Sequence, residues 1–282
     1  MNQMIKEMRK LLNMSKDQLA SDLGVSCAVV DRWENDEIIP DKSAQLKLYT
    51  LCKKNDLDLT DFIVNREIQS SDETVLYHAS RKGIKGKISP ISRERCDFGK
   101  GFYMGTDPIQ PLTLVCNEDK PVFYSFSMNL SELKVLEVSM DIDWAMLIAY
   151  YRGYLEKGRD SVLYEKYAHM ADGYDVIVGL IANDRMYQVL TDFFEERITD
   201  RALLGSLSAL KLGKQYVAIT QKACDKISII SSRELSSLEL MFLKETSIVR
   251  RHEGLSIADK AVKEHRRDGL YFDEILRGER ND

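Results

Sequence analysis

The chain has 282 residues, of which 44% are apolar and 30% are charged, so it can bury a hydrophobic core, and its length favours two domains. This composition excludes a disordered tail and a disulfide-stapled miniprotein. The formal net charge of −5 gives the whole molecule no general attraction to nucleic acid or to an anionic membrane, so any such binding must be local.

The five cysteines and four histidines do not predict a metal centre or a disulfide framework. No two cysteines form a C-x-x-C pair, and none lies at a short spacing from a histidine, which favours a reducing compartment. The first residues alternate charged and apolar side chains, and no run approaches the ~18 apolar residues that a membrane span needs. We therefore expect a soluble cytoplasmic protein without membrane contacts and without a bound metal.

Residues 1–66 show the spacing of short amphipathic helices, with apolar side chains at intervals of three and four. Ser15 and Gln18 have the spacing of a capping box at the start of the second helix, and Gly24 is placed to end it. Pro40 closes the loop after the third helix. These signals predict an all-helical N-terminal domain.

The segment from Lys16 to Trp33 has the pattern of two helices that cross at a tight turn. Ala20 supplies the small side chain needed at the crossing, and Gly24 can adopt the positive φ of the turn. The apolar side chains that would fill the core behind the turn are Leu19, Val30 and Trp33. Together with the W-E-N-x-x-x-x-P ending at Pro40, this pattern resembles the helix-turn-helix domain of the phage-repressor-like family, also called the XRE type.

This resemblance implies a surface for operator DNA. It places a set of side chains toward the major groove, namely Ser26, Cys27, Val29, Val30 and Arg32, and it places Lys16 and Gln18 near phosphates. However, residues 1–66 hold ten basic and eleven acidic side chains, so little affinity would come from counterion release. Two interpretations remain open: operator binding by a homodimer, or a helical module for dimerisation or for docking a partner such as an antitoxin protein.

Residues 67–73 are predicted to be a linker, because this run is polar and has no apolar partner for packing. After them the pattern becomes mixed. The runs rich in Val, Ile, Tyr and Phe that predict strands are 74–80, 120–128, 133–139, 175–182, 215–220 and 226–231. The helical patterns between them are 107–117, 141–157, 160–169, 185–195 and 199–209. We therefore predict an α+β domain over 74–231, followed by a helical extension, 232–282, of solvated character.

Two stretches of the second domain outline a nucleotide pocket. His78, at a strand end, can hydrogen-bond to a ribose hydroxyl, and Tyr103 offers a flat ring for stacking. Gly99 and Gly101 would let the backbone pass close to a ligand. The alternative is a structural histidine beside an ordinary turn.

These stretches resemble the NAD-binding signature of ADP-ribosyltransferases, especially the poly(ADP-ribose) polymerase branch, and also a bacterial family described only as a domain of unknown function. The similarity covers roughly residues 74–231 and implies that NAD is the substrate. By this resemblance His78 would hold a ribose hydroxyl, the backbone of Ala79 would hold the carboxamide, and Tyr103 would stack on the nicotinamide ring. The residues beside them in the site would be Ser80, Gly101 and Phe102.

The same resemblance places Gln215 where the superfamily has its catalytic glutamate. An amide can orient an acceptor, but it cannot take a proton or carry a negative charge, so we do not expect polymer formation. Single transfer, NAD hydrolysis and a weakened enzyme remain open. Asp184 could replace the missing acid and Arg185 could clamp a diphosphate. The alternative for this pair is a helix cap followed by a solvated arginine.

We therefore predict a multidomain protein that combines the helix-turn-helix domain with an NAD-dependent mono-ADP-ribosyltransferase acting on a macromolecular acceptor. Such a fusion suits a bacterial toxin or phage-defence effector. The alternative is a non-enzymatic transcriptional regulator whose degenerate transferase fold binds NAD or a partner protein. The central prediction is that the rings of His78 and Tyr103 converge on one cleft.

Overall fold

The computed structural model describes residues 1–68, 74–181, 184–209, 213–265 and 268–278, without the side chains of residues 184, 185 and 258. Residues 69–73 of the predicted linker lie outside the described residues. The described chain forms an N-terminal helical region followed by an α+β region with a mixed sheet, which confirms the predicted fold class at this level.

The N-terminal region consists of short helices with the predicted local signals. The helices are α1 (Asn2–Leu11), α2 (Lys16–Leu23), α3 (Cys27–Glu34), α4 (Lys42–Lys54) and α5 (Thr60–Asn65). The capping box of Ser15 and Gln18 is present, and Gly24 ends α2 with a φ of 68°. Leu19, Val30 and Trp33 are buried in the core, as the helix-turn-helix pattern predicts.

The second region is built on one seven-stranded sheet with the strand order β4-β5-β6-β2-β1-β3-β7. The strands are β1 (Leu76–Ser80), β2 (Phe102–Gly105), β3 (Val122–Met128), β4 (Val135–Glu137), β5 (Val176–Leu180), β6 (Lys214–Ala218) and β7 (Ile227–Glu234). Only the β4–β5 pair is parallel among these strands. The helices are α6 (Ile109–Leu114), α7 (Ile142–Arg152), α8 (Val162–Ala168), α9 (Asp184–Phe194), α10 (Asp200–Ala209), α11 (Gln221–Cys224), α12 (Ser237–Glu264) and α13 (Phe272–Leu276).

The sheet has two faces with different surroundings. The aromatic face carries Phe102, Tyr124 and Phe126, whose rings pack against one another. The helical face carries Ile177 and Val217, which pack against apolar side chains of α7 and α9. Because neighbouring residues of a strand point to opposite faces, the strand register decides which face each candidate side chain occupies.

The C-terminal helix α12 is not the solvated appendage that its charge suggested. Leu238, Phe242 and Leu243 are buried and share one hydrophobic core with the N-terminal helices. The ring of Phe242 meets Tyr49 of α4 edge to face, with a centroid distance of 5.1 Å. The high charge content of the segment led to the prediction of a solvated helix. Most of the buried apolar residues are concentrated in the first turns of this 28-residue helix, so they have little effect on its overall composition.

Four charged side chains, which we call the junction cluster, join three parts of the molecule: Arg66, Glu67, Arg233 and Glu239. Arg66 follows α5, Arg233 lies on β7, and Glu239 belongs to the capping box that starts α12. Arg233 binds Glu239 at 2.9 Å and Glu67 at 2.5 Å, and Arg66 pairs with both carboxylates. Glu67 was predicted to begin a solvated linker, but it is buried here, so the chain is anchored at this point.

Candidate functional site

The sheet opens between β1 and β2 beside the two predicted stretches. All five residues of β1 pair with β3, whereas β1 pairs with β2 only through Tyr77 and Gly105. Beyond that pair, the Nδ1 atom of His78 lies 2.8 Å from the backbone oxygen of Tyr103. A carbonyl oxygen can only accept, so Nδ1 carries the proton and donates this bond. The His78 ring therefore links two strands where their backbone pairing has stopped.

The surroundings of His78 favour its neutral form. Burial lowers the pKa of this imidazole, although the bond to the Tyr103 carbonyl acts in the opposite direction. The ring packs 4.8 Å from the centroid of Phe102 and also lies near Tyr124 and Phe126. In the neutral ring with a protonated Nδ1, Nε2 is a hydrogen-bond acceptor. His78 is half-buried. Its Nε2 can accept a hydrogen bond from a hydroxyl group such as that of a ribose.

The lowered pKa of His78 predicts a pH effect on stability. In the unfolded chain the imidazole takes up its proton as the pH falls below about 6.5, whereas in the folded chain it does so only at lower pH. The unfolded state thus binds more protons in this window, so the free energy of unfolding should decrease as the pH falls.

Urea denaturation at several pH values, comparing the wild type with His78→Gln, measures this contribution. The amide of glutamine can still donate to the Tyr103 carbonyl but does not titrate. The wild type should therefore lose more stability than the variant between about pH 6.5 and pH 5. Parallel pH curves for the two proteins would contradict the proposed neutral state.

The predicted convergence of His78 and Tyr103 on one cleft is wrong. His78 shares the aromatic face with Phe102, whereas Tyr103 is opposite Val217 in the β2–β6 register and packs on the helical face. The Tyr103 hydroxyl donates to the Gly99 carbonyl at 2.7 Å and accepts from the Phe98 amide at 3.0 Å. Burial raises the pKa of this hydroxyl. The ring therefore braces the glycine turn, and only the Tyr103 carbonyl reaches His78.

The glycines of the turn are explained by protein packing rather than by a ligand. A β-carbon at Gly101 would clash with Cγ1 of Val217, and one at Gly99 would lie 2.6 Å from the ring of Tyr151. Gly99 also has a φ of 70°, which favours glycine. The role predicted for Gly101 in admitting a ligand is corrected accordingly. Phe102, predicted to contact NAD, packs against the His78 ring.

The remaining predicted residues of the nucleotide site are divided between the two faces. Ser80 lies two residues after His78 on β1, so it occupies the same aromatic face. Its side chain is half-buried. Ala79 points to the opposite face, and its backbone belongs to the β1–β3 ladder opposite Phe123. The structure therefore brings Ser80, but not the Ala79 side chain, to the side of His78.

Gln215 is buried on the face opposite to His78. It lies across from Gly105 in the β2–β6 register, and its Nε2 donates to the Leu180 carbonyl at 3.0 Å. The side-chain amide thus makes a hydrogen bond within the protein. The structure does not show it in a position to orient an acceptor, as was predicted. Asp184 and Arg185 begin α9, but their side chains lie outside the described residues.

The predicted DNA-reading surface is only partly available. Ser26, which precedes α3, and Arg32 on α3 are exposed, while Cys27 and Val29 are half-buried. Val30 is fully buried, so its predicted place in the major groove is wrong, because it fills the core behind the turn. Sequence reasoning missed Ala28, which is exposed four residues before Arg32 and therefore shares its helix face.

Acidic neighbours neutralise much of the positive charge near α3. Lys16, predicted to lie near phosphates, pairs with Asp31 and lies 3.8 Å from the buried Glu34. Arg32 lies 3.6 Å from Glu37, although both side chains are about half exposed. Gln18 uses its side-chain oxygen to accept the Ser15 amide of the capping box. Of the predicted basic contacts, Arg32 therefore remains the more accessible.

Two features are absent from the residues that the structure describes. No group of three or more histidine, cysteine, aspartate or glutamate side chains is arranged to hold a metal ion among them. None of their helices combines the length and apolar character that a membrane crossing requires.

Comparisons with known proteins agree with this division of the chain. A family model described as helix-turn-helix matches residues 5–48, so the N-terminal region is a helix-turn-helix DNA-binding domain. A second model, described as a protein of unknown function (DUF3990), matches residues 74–229, which is just over half of the chain. No curated protein and no solved structure matches this chain. The chain is therefore a member of the DUF3990 family with an N-terminal helix-turn-helix domain.

Proposed function

We propose that this chain is a DNA-binding regulatory protein whose second domain binds NAD and transfers one ADP-ribose unit to a macromolecule. The observation that carries the enzymatic part is His78, a neutral imidazole held by the Tyr103 carbonyl at the opening between β1 and β2. Its Nε2 offers an acceptor to a ribose hydroxyl, as the resemblance to ADP-ribosyltransferases implies. Ser80 adds a hydroxyl on the same face.

In the proposed reaction, the bond between the nicotinamide nitrogen and C1′ of the ribose breaks, and nicotinamide leaves with the bonding electrons. A nucleophilic oxygen or nitrogen of the acceptor forms the new bond to C1′ and loses its proton to water. His78 would orient the ribose through its hydroxyl group. Gln215 cannot supply the negative charge that stabilises an oxocarbenium-like transition state, which favours slow, single transfer over polymer formation.

The test is a pair of measurements on the wild-type protein. Calorimetric titration with NAD reports binding, and chromatography reports nicotinamide released during incubation with cell lysate. We expect saturable binding together with nicotinamide release above a protein-free control. Folded protein that neither binds NAD at millimolar concentration nor releases nicotinamide would refute the enzymatic proposal.

For the N-terminal domain we propose that a homodimer binds operator DNA and that the exposed face of α3 contacts the bases. Replacing Arg32 with alanine should weaken specific binding by about 1–3 kcal/mol and relax specificity at one position of each half-site. Selection from a random DNA library, followed by anisotropy titrations, measures both effects. Lys10→Ala, which removes an exposed cation from α1, is the matched control. Equal losses in the two variants would favour non-specific contact or partner docking instead.

A specific observation favours a second candidate, a non-enzymatic regulator that senses NAD. The Gln215 amide is buried and bound to the Leu180 carbonyl, so it is not free to act on an acceptor. This regulator would bind NAD without releasing nicotinamide, and NAD would change its affinity for DNA. A role as toxin or phage-defence effector, with an antitoxin docked on the helical domain, belongs to the enzymatic proposal and rests on the combination of domains.

A further inference from the structure

The segment that joins β1 to β2, residues 81–100, is strongly basic, and we call it the basic loop. It contains seven lysines and arginines but only two acidic residues, Glu94 and Asp97. Its formal charge is therefore +5, whereas the whole chain carries −5, so the other 262 residues together carry −10. Such a local excess in an acidic protein is a distinct electrostatic feature of the second domain.

Most of this positive charge is not neutralised within the protein. All seven basic side chains of the loop are exposed. Arg81 pairs with Glu118 and Lys87 pairs with Asp225, while the loop's own Asp97 is occupied by Arg152. Five cations have no ion-pair partner in the part of the chain that the structure describes: Lys82, Lys85, Arg93, Arg95 and Lys100.

The basic loop is held in place by hydrogen bonds to the body of the domain. The Ile84 amide donates to the Tyr124 hydroxyl at 2.8 Å, and the Gln221 side chain donates to the Ile88 carbonyl at 2.9 Å. The Gly101 amide donates to the Ser92 hydroxyl at 3.0 Å. The five unpaired cations are therefore presented from an anchored segment, which reduces the entropy lost when a ligand binds.

The composition of the loop favours a phosphate backbone over other anionic partners. Gly86, where a β-carbon would meet no atom within 4 Å, leaves room for close approach, and Ser89 adds a hydroxyl. Backbone amides, hydroxyls and cations are the groups that contact nucleic-acid phosphates. Ile91 is the one large apolar side chain of the loop that is strongly exposed, and a membrane anchor or the core of a protein interface uses more apolar surface than this.

We propose that the basic loop is a second nucleic-acid binding surface of this protein, separate from the helix-turn-helix domain, and that it binds the phosphate backbone without reading sequence. The loop begins directly after Ser80 and ends before Phe102, which packs on His78. It therefore holds nucleic acid beside the candidate nucleotide site. One consequence, which rests on the proposed function, is that nucleic acid is the acceptor of the ADP-ribose.

The test uses the full chain and a fluorescent duplex of about 20 base pairs with random sequence, with single-stranded DNA and RNA of the same length as separate arms. In the loop variant, Lys82, Lys85, Arg93 and Lys100 are all replaced by serine. Arg95 is kept, because it lies against Gly153 at the end of α7. The matched control replaces four exposed lysines outside the loop with serine: Lys120, Lys157, Lys260 and Lys263.

We expect the loop variant to bind at least about tenfold more weakly at 50 mM salt, and its plot of log K against log salt to be less steep by about 3 to 4. The control variant should behave like the wild type, since its substitutions remove the same charge elsewhere. Unchanged binding by the loop variant, an equal loss in the control, or binding only to phosphatidylserine vesicles would overturn the proposal. These titrations contain no NAD, so failure of the transferase would appear separately, as absence of label transfer from NAD to the bound oligonucleotide.

Discussion

Replacing Glu239 with alanine is expected to lower the free energy of unfolding by about 3–5 kcal/mol, because it removes one of the two carboxylates that two arginines share in a buried cluster. Only 3% of the Glu239 side chain is exposed, and it pairs with both Arg66 and Arg233. The same carboxylate accepts the Ser236 amide in the capping box of α12. The substitution thus leaves Glu67 as the one remaining carboxylate for the two guanidinium groups, and it leaves the Ser236 amide without its acceptor.

The pH dependence of this effect has a definite sign. Burial alone would raise the pKa of Glu239, but Arg233 and Arg66 overcome it and hold the pKa below its usual value. A carboxyl with a lowered folded pKa stabilises the protein above its unfolded pKa and loses this contribution as the pH falls. The difference between the wild type and Glu239→Ala should therefore shrink below about pH 4.5.

The control for Glu239 is Asp119→Ala. Asp119 pairs with Lys42 and also connects the helical domain to the second domain, but both side chains are about 70% exposed. Its removal should leave the denaturation midpoint almost unchanged, since an exposed ion pair contributes little. A loss as large as that of Glu239→Ala would contradict the role assigned to burial in the junction cluster.

The two tryptophans allow the measurement to follow each domain separately. Trp33 is buried in the helical domain and Trp144 lies in the core of the second domain. The Trp144→Phe variant retains only Trp33, and the Trp33→Phe variant retains only Trp144. Because the first domain shares one core with α12, the two variants should show coincident unfolding transitions when Glu239 is present. In the Glu239→Ala background, the Trp33 signal should change at lower urea than the Trp144 signal.

Replacing His78 with alanine is expected to reduce nicotinamide release by about 100-fold if the proposed transfer is correct, because the ribose loses the group that orients it. The variant also loses the bond to the Tyr103 carbonyl, which links β1 to β2. Release of nicotinamide is followed by chromatography at saturating NAD, and calorimetry gives the change in affinity for NAD. The denaturation midpoint is measured in parallel to confirm that the variant is folded.

His169→Ala is the matched histidine control for this experiment. His169 is exposed at the end of α8 and pairs with Asp172 and Glu165 rather than with groups of the sheet. Its removal should leave nicotinamide release unchanged. If the folded His78→Ala protein released nicotinamide at the wild-type rate, His78 would not be part of the site. The main support for the transferase proposal would then be lost.

The local features were predictable because they depend on neighbouring residues. Ser15 and Gln18 form their capping box through a spacing of three, and Gly24 ends α2 because glycine tolerates a positive φ. Most of the strands were recognised from short runs of β-branched and aromatic residues. The buried positions of the helix-turn-helix core were equally readable from helical periodicity.

The sequence singled out His78 and Tyr103, but the geometry of their contact could not be predicted from it. His78 and Tyr103 do contact each other, but through a carbonyl oxygen and not through two rings facing one cleft. The face on which Tyr103 lies is set by its register with Val217, more than one hundred residues away in the chain. A shift of one residue in the β2–β6 register would have moved the Tyr103 ring to the other face, and no local sequence pattern specifies that register.

By itself, the amino-acid sequence determined where most of the helices and strands lie, where the helix-turn-helix forms, and that residues 81–100 carry an excess of positive charge. Only the tertiary structure decided which charges remain unpaired, which face each candidate side chain occupies, and how Glu239 joins the two domains. The physical reason is that local structure follows from short-range hydrogen bonds and periodicity. Pairing, burial and charge neutralisation depend on residues that are distant in the chain and meet only after folding.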